Sequence, residues 1–376
     1  MQPFKRKIYY LGGYDPRGSR YYHDLLAQQV AAHNAAGAAP EGLLHLSARR
    51  RMGRNMGWDV NTPQLYAQTE FLVWDDLVRG DWSRSPIRLA MQAIGAYLHM
   101  LRGLDWDLAG RTPRGSRIAV FFPGVAYLLL PVLLPLILFD LLALAMPWWA
   151  ALVGGLALGW GISFAALRWI SALWLLRFVV FNDALAREMV SPDYQDRLAQ
   201  AAERIRQAFT EEWDEVLFIT HSNGSILAVP LMARLLDLCD GHIPPHFALV
   251  TLGNCMQLLA CRKDAPWFGH MLDRLGQAEF RWLDIGSPTD GACAPLVPPC
   301  LGRTVESPAG LTQISPRWFR YCDAATYQAR RRDKYTTHFD YLRRLDRPSA
   351  LDFLGLTASA RPLNASIAAF EAEQHG

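Results

Sequence analysis

The stretch Phe218–Ile226, FITHSNGSI, carries a short, mostly apolar run into a serine, with a glycine two positions later. The residues before it, Glu215–Thr220, read as a strand, and Ser225–Leu238 reads as a helix beginning near Gly224. Ser222 therefore stands at a strand-to-helix bend. A serine there has two uses. As a cap it accepts an N–H from the first helical turn. As a nucleophile it projects its hydroxyl out of the sheet from a sharp turn. A serine hydroxyl is a weak nucleophile at neutral pH, so the second use requires a base and an acid that orients the base.

In this strand–turn–helix context, Thr220-His221-Ser222-Asn223-Gly224 resembles the G-x-S-x-G motif of the α/β-hydrolases, with threonine replacing the first glycine. Gly224 supplies the small residue that lets the backbones approach. The resemblance implies a Ser-acid-His order along the chain. The expected acid is Asp290, in the GSPTDG loop after the strand Phe280–Ile285, with Pro295, Pro298 and Pro299 following. Asp284, inside that strand, is the alternative. Only His338 and His375 follow the loop. His375 lies in what reads as a loose tail. His338, in KYTTHFDYLRRL, sits in a polar turn before an expected amphipathic helix and is the expected base. His221 adjoins the serine, points away from it and reads as structural, while His242, His246 and His270 come too early. Asp323 and Asp340 read as surface acids. The oxyanion donors are expected at the N–H of Asn223 and at that of Gly13 or Tyr14, in LGGYDPRG (11–18), where Gly12 and Gly13 lack an obstructing Cβ. Asp15 and Arg17 either shape this loop or meet a polar headgroup. Such chemistry needs no metal and no organic cofactor.

Elements must position these groups. KIYYLGG gives an early strand, a helix follows from about Tyr21 to Ala36, and EFLVWDDL (70–77) reads as a second strand. Pro192–Trp213 reads as a helix, and HFALVTLGN (246–254) and EFRWLDI as further strands. Alternating strands and helices predict an α/β fold with an α/β-hydrolase-like, mostly parallel sheet flanked by helices. Neither flank of the chain supplies enough strands alone, so residues 1–117 and 169–376 are expected to form one domain. The resemblance covers roughly 1–110 and 190–345.

Between the flanks, residues 118–168 form the expected interruption. From Ile118 to Leu167 the only charged residue is Asp140. Roughly 20 apolar residues cross a bilayer core, so there is room for two spans, placed at about 121–142 and 147–167. Pro147, Trp148 and Trp149 suit an interfacial turn. Arg111, Arg114, Arg117, Arg168 and Arg177 flank the pair, and the turn has no lysine or arginine, which places both flanks in the cytoplasm and the turn outside. In a bacterial cell this means the inner membrane. The apolar segment Trp169–Val180 either lies in the interface or packs on the domain.

A net charge of +3 does not point to nucleic acid. The arginine clusters at 49–51 and 330–332 read as solvated faces, with anionic lipid as the rival reading. The six cysteines form no CxxC pair and read as reduced thiols. The apolar run near the start is too short for a signal peptide. The expectation is a multi-pass, membrane-anchored serine hydrolase acting on an acyl ester or thioester, with membrane lipids as neighbours or substrates. The rival is a noncatalytic, membrane-anchored scaffold of the same fold, favoured by the threonine at 220.

Overall fold

The computed structural model describes residues 2–37, 42–188 and 191–375. Its centre is one nine-stranded sheet. The strands are β1 (Phe4–Leu11), β2 (His45–Leu46), β3 (Arg50–Met52), β4 (Asn55–Thr62), β5 (Leu65–Phe71), β6 (Glu215–His221), β7 (Phe247–Leu252), β8 (Arg281–Ile285) and β9 (Leu311–Ile314). They lie in the order β2-β4-β5-β1-β6-β7-β8-β9, with β3 also on β4. The six strands from β5 to β9 run parallel, whereas β2, β3 and β4 add antiparallel pairs at one edge. The fold is α/β with a mixed sheet, where a mostly parallel one was expected. β1 pairs with β6, so strands from before and after the apolar hairpin join in one sheet.

The central strands are apolar on both faces because helices cover both. Tyr9, Val216, Phe218, Leu249 and Trp282 face one core, and Ile8, Tyr10, Leu217, Val250 and Leu283 the other. This is the two-residue alternation of a pleated strand. The helices that bear on the site are α1 (Ser19–Ala35), α2 (Asp75–Asp81), α3 (Pro86–Gly103), α4 (Trp106–Gly110), α5 (Arg114–Ala143), α6 (Trp148–Trp169), α7 (Ala172–Glu188), α8 (Pro192–Ala208) and α9 (Gly224–Leu238).

α5 and α6 are long and apolar enough to cross a membrane, and most of their surface is unburied. They pack antiparallel. A Cβ on Gly159 would lie 2.5 Å from the Pro135 backbone, so glycine permits the close approach. Pro135 cannot donate to the carbonyl of Pro131, and Trp160 Nε1 donates to that oxygen instead at 3.1 Å. Ser163 Oγ donates to the Leu130 carbonyl at 2.9 Å. α5 begins well before the expected boundary at 121, and its first turns pack on the sheet domain, where Tyr97 Oη donates to the Val120 carbonyl at 2.7 Å. α7 also packs on that domain, burying Ala172, Leu176, Phe178 and Val179.

Several local expectations change. The strand expected at 70–77 is β5, which ends at Phe71, and α2 takes the acids that follow. α8 stops at Ala208. The end of the chain is a helix, Leu363–His375, with Leu363 and Phe370 buried, and not a loose tail. A buried ion pair explains why. Arg6 Nε donates to Glu215 Oε2 at 3.0 Å, and the same guanidinium donates to the carbonyls of Ser359 and Arg361. The other Glu215 oxygen accepts the N–H of Leu363 at 2.9 Å. Removing one partner of such a pair strands the other charge, at about 3–5 kcal/mol. Arg6→Met should lose about that much stability and make the segment after 361 sensitive to limited proteolysis. An unchanged digestion pattern would contradict this account of the C-terminal helix.

Candidate active site

Ser222 leaves β6 with φ at +56°, a left-handed conformation rarely adopted by a non-glycine residue. Strain of this kind costs about 1–3 kcal/mol and persists where the surroundings over-determine it. Here three things do. The Ser222 N–H donates to the Leu252 carbonyl at 2.9 Å. Gly224 begins α9 against the end of β1, where a Cβ would come within 2.5 Å of the Leu11 carbonyl oxygen. Gly13 faces the serine, where a Cβ would fall 2.9 Å from Ser222 Cβ. Thr220 is accommodated within β6, fully buried.

The strain aims the hydroxyl at an imidazole. Ser222 Oγ lies 2.7 Å from His338 Nε2, and His338 Nδ1 lies 2.9 Å from Asp290 Oδ2. All three side chains are buried. A carboxylate only accepts, so Nδ1 carries the ring proton and Nε2 is left to accept from the serine. Burial pushes the Asp290 carboxyl up, but the facing His338 and the N–H of Ala292 outweigh it, and the group titrates below the usual carboxylate range. The Ala292 N–H donates to Asp290 Oδ1 at 2.9 Å. Asp290 follows β8, and His338 closes a short helix, Lys334–His338. A 3-10 turn, Asp340–Leu342, follows where an amphipathic helix was expected.

His221 packs against the backbone of His338. Its Nε2 lies 2.8 Å from the His338 carbonyl, which fixes the proton on that nitrogen. Burial, then the neighbouring His338, pushes His221 down to about 3, so the ring is neutral at ordinary pH. Asp284 stays in the sheet, accepting from Thr251 Oγ1 at 2.6 Å and Gln313 Nε2 at 3.0 Å. The structure therefore brings Asp290, and not Asp284, to the histidine. Asp340 is buried between Arg330 and Arg343 and is not the surface acid expected. The side chain of His375 lies outside the described residues.

The backbone N–H groups of Gly13, Tyr14 and Asn223 find no acceptor among the described residues. Gly13 abuts Ser222, and Asn223 starts the turn into α9, whose positive end faces the same space. The Asn223 side-chain amide is also buried with no partner among the described residues. The YDPRG loop is held from within: Arg17 makes a bidentate contact with Asp15, Tyr22 Oη donates to Asp15 at 3.0 Å, and the guanidinium stacks over Phe339. Asp15 and Arg17 thus shape the loop.

Sequence reasoning missed Trp174 and Cys255. Trp174, on α7, packs its ring 6.2 Å from that of His338 and donates Nε1 to the Tyr14 carbonyl at 3.2 Å. Cys255 lies beside Ser222, and burial pushes its thiol well above the usual range. Neither carries a motif. Trp174 sits in an apolar run with the composition of a membrane segment. Among the described residues no cluster of three or more acidic, histidine or cysteine side chains could hold a metal.

Comparison with known protein families, with curated proteins and with solved structures finds no match to this chain. The chemistry of the site therefore rests on its geometry.

The two aspartates should separate by pH. Burial pushes Asp284 up to about 6, against the hydrogen bonds from Thr251 and Gln313. A carboxyl raised in the folded state adds stability below its unfolded value, about 3.9, and loses it as pH rises through the folded value. Asp284→Asn should match wild type in thermal stability near pH 4 and equal or exceed it above pH 6. A variant that falls progressively below wild type across that window would contradict the protonation assigned to Asp284.

Proposed function

We propose that this chain is a membrane-anchored serine hydrolase of α/β-hydrolase type that cleaves acyl esters or thioesters through an acyl-enzyme. The observation that carries the reading is the relay itself: a serine at φ +56° within 2.7 Å of an imidazole whose other nitrogen is held by a buried carboxylate. Ser222 Oγ attacks the acyl carbonyl while its proton passes to His338 Nε2. Asp290 orients the ring and stabilises the imidazolium. The N–H groups of Asn223 and of Gly13 or Tyr14 are the proposed donors to the oxyanion. His338 then gives its proton to the leaving alcohol or thiol as the bond to the acyl carbon breaks. Water, or another alcohol or thiol, releases the acyl group by the reverse sequence.

The parallel run β5-β1-β6-β7-β8-β9 is consistent with this reading, with the serine after β6, the acid after β8 and the histidine beyond β9. The two apolar helices and their arginine flanks support a site on the cytoplasmic side, close to the membrane. Acyl substrates that partition into the bilayer are concentrated there.

Asp290→Asn should keep the fold and the Ser222–His338 approach while removing the ring's orientation and charge compensation. The expected loss in kcat on p-nitrophenyl butyrate is about 10⁴-fold, in a variant that still folds but melts somewhat lower. Asp284→Asn should retain activity within about threefold. Loss in Asp284→Asn with retention in Asp290→Asn would overturn the assignment.

A further inference from the structure

Two cavities of about 600 and 560 Å³ include none of Ser222, Asp290 and His338 in their walls. A narrower cavity of about 110 Å³ also has none of the three in its walls, but it is lined by Ala292, whose N–H donates to Asp290 Oδ1 at 2.9 Å. Its inner end is formed by Cys255, whose Sγ donates to the Ala292 carbonyl at 3.5 Å, and by Cys293, three residues beyond Asp290. Its walls are mainly apolar, with Met100 from α3, Val120 and Phe121 from α5, Phe178 from α7 and Leu258. At the outer end stands Trp106, 57% exposed. An apolar cavity of about 150 Å³ takes up benzene, so this smaller space of about 110 Å³ suits a short segment of hydrocarbon chain.

A second observation says what lies outside the mouth. α3 buries Leu89, Ala93, Ala96 and Met100, and exposes Ile87, Met91, Ile94, Leu98 and Leu101 along its opposite side. That spacing is one continuous apolar stripe. The helix runs alongside α5: Tyr127 Oη donates to the Pro86 carbonyl at one end of α3, and Tyr97 Oη to the Val120 carbonyl further along. The stripe therefore continues the exposed apolar surface of α5, which includes Val125 and Leu128. Arg84, Arg88 and Arg102 are exposed at its ends, as suits a helix among anionic headgroups.

We propose that this cavity is a hydrocarbon-chain site whose mouth opens into the bilayer between α3 and the foot of α5, so that the acyl chain of a membrane lipid reaches Ser222 without leaving the membrane. The reacting end of the proposal rests on the hydrolase reading; the chain site and the seating of α3 in lipid do not. Two polar atoms of wall residues have no partner among the described residues: Arg117 Nε could donate to a lipid ester or phosphate oxygen, and Gln257 Oε1 could accept from a lipid hydroxyl.

Two readouts test it on the full chain in lipid nanodiscs or mixed micelles. In Ser222→Ala, a palmitate analogue with a terminal diazirine should crosslink to Met100 on α3, Trp106 on α4 or Phe121 at the foot of α5. Val120→Trp, which fills the cavity, should reduce that crosslinking at least fivefold. In the otherwise native enzyme, Val120→Trp should lower kcat/KM for p-nitrophenyl palmitate by about tenfold or more and leave p-nitrophenyl butyrate within about twofold. Leu258→Trp serves as a second filling variant should Val120→Trp not fold. Crosslinks confined to the middle of α5 and α6, or equal effects on both esters, would overturn the chain site. Cavity crosslinks that Val120→Trp removes, in a protein with no esterase activity, would support the chain site while refuting the hydrolase reading.

Discussion

A carboxylate with almost no exposed surface must find partners inside the protein, and Asp290 finds an imidazole N–H and one backbone N–H. No lysine or arginine pairs with it among the described residues, so its charge ties the loop after β8 to the helix end at His338. Each side is reinforced separately. Tyr341 Oη accepts the N–H of Ser287 at 2.8 Å, clamping the acid loop to the turn after the histidine. His221 holds the His338 carbonyl from beneath. Moving either loop would leave a buried charge short of a partner, which costs far more than a surface contact. The serine depends on the same economy of space, since its left-handed turn is wedged between the end of β1 and the start of α9.

Both ends of the apolar hairpin touch this assembly. Ser116, in the first turn of α5, donates to the carbonyl of Cys293, close to Asp290. Trp174, just after α6, rests beside His338 and bonds the loop that carries Gly13 and Tyr14. The hairpin is therefore more than a tether joined by flexible chain. Its two feet are part of the packing around Asp290, His338 and the loop that carries Gly13 and Tyr14.

The readable parts of the sequence were those where one physical requirement dominates locally. The THSNG turn needs a small residue after the serine, the central strands need apolar faces on both sides, and the hairpin needs some fifty residues nearly free of charge. The missed parts depend on tertiary context. β4, NMGWDVNT, alternates polar and apolar residues weakly and pairs only because β5 is there to receive it. The C-terminal helix looked loose because its anchor, Arg6, lies more than 350 residues away. Trp174 was hidden within an apolar run that could equally have belonged to the membrane. Asp290 could be preferred to Asp284 from its loop position, but only the fold shows Asp284 occupied by Thr251 and Gln313.

The central claim is that Ser222 is an activated nucleophile. The most direct measurement is covalent labelling of the detergent-solubilised full chain by a fluorophosphonate, with wild type and Ser222→Ala compared side by side. The geometry predicts rapid labelling of wild type and none of the variant. A folded wild type that does not label, or labelling that survives Ser222→Ala, would contradict it.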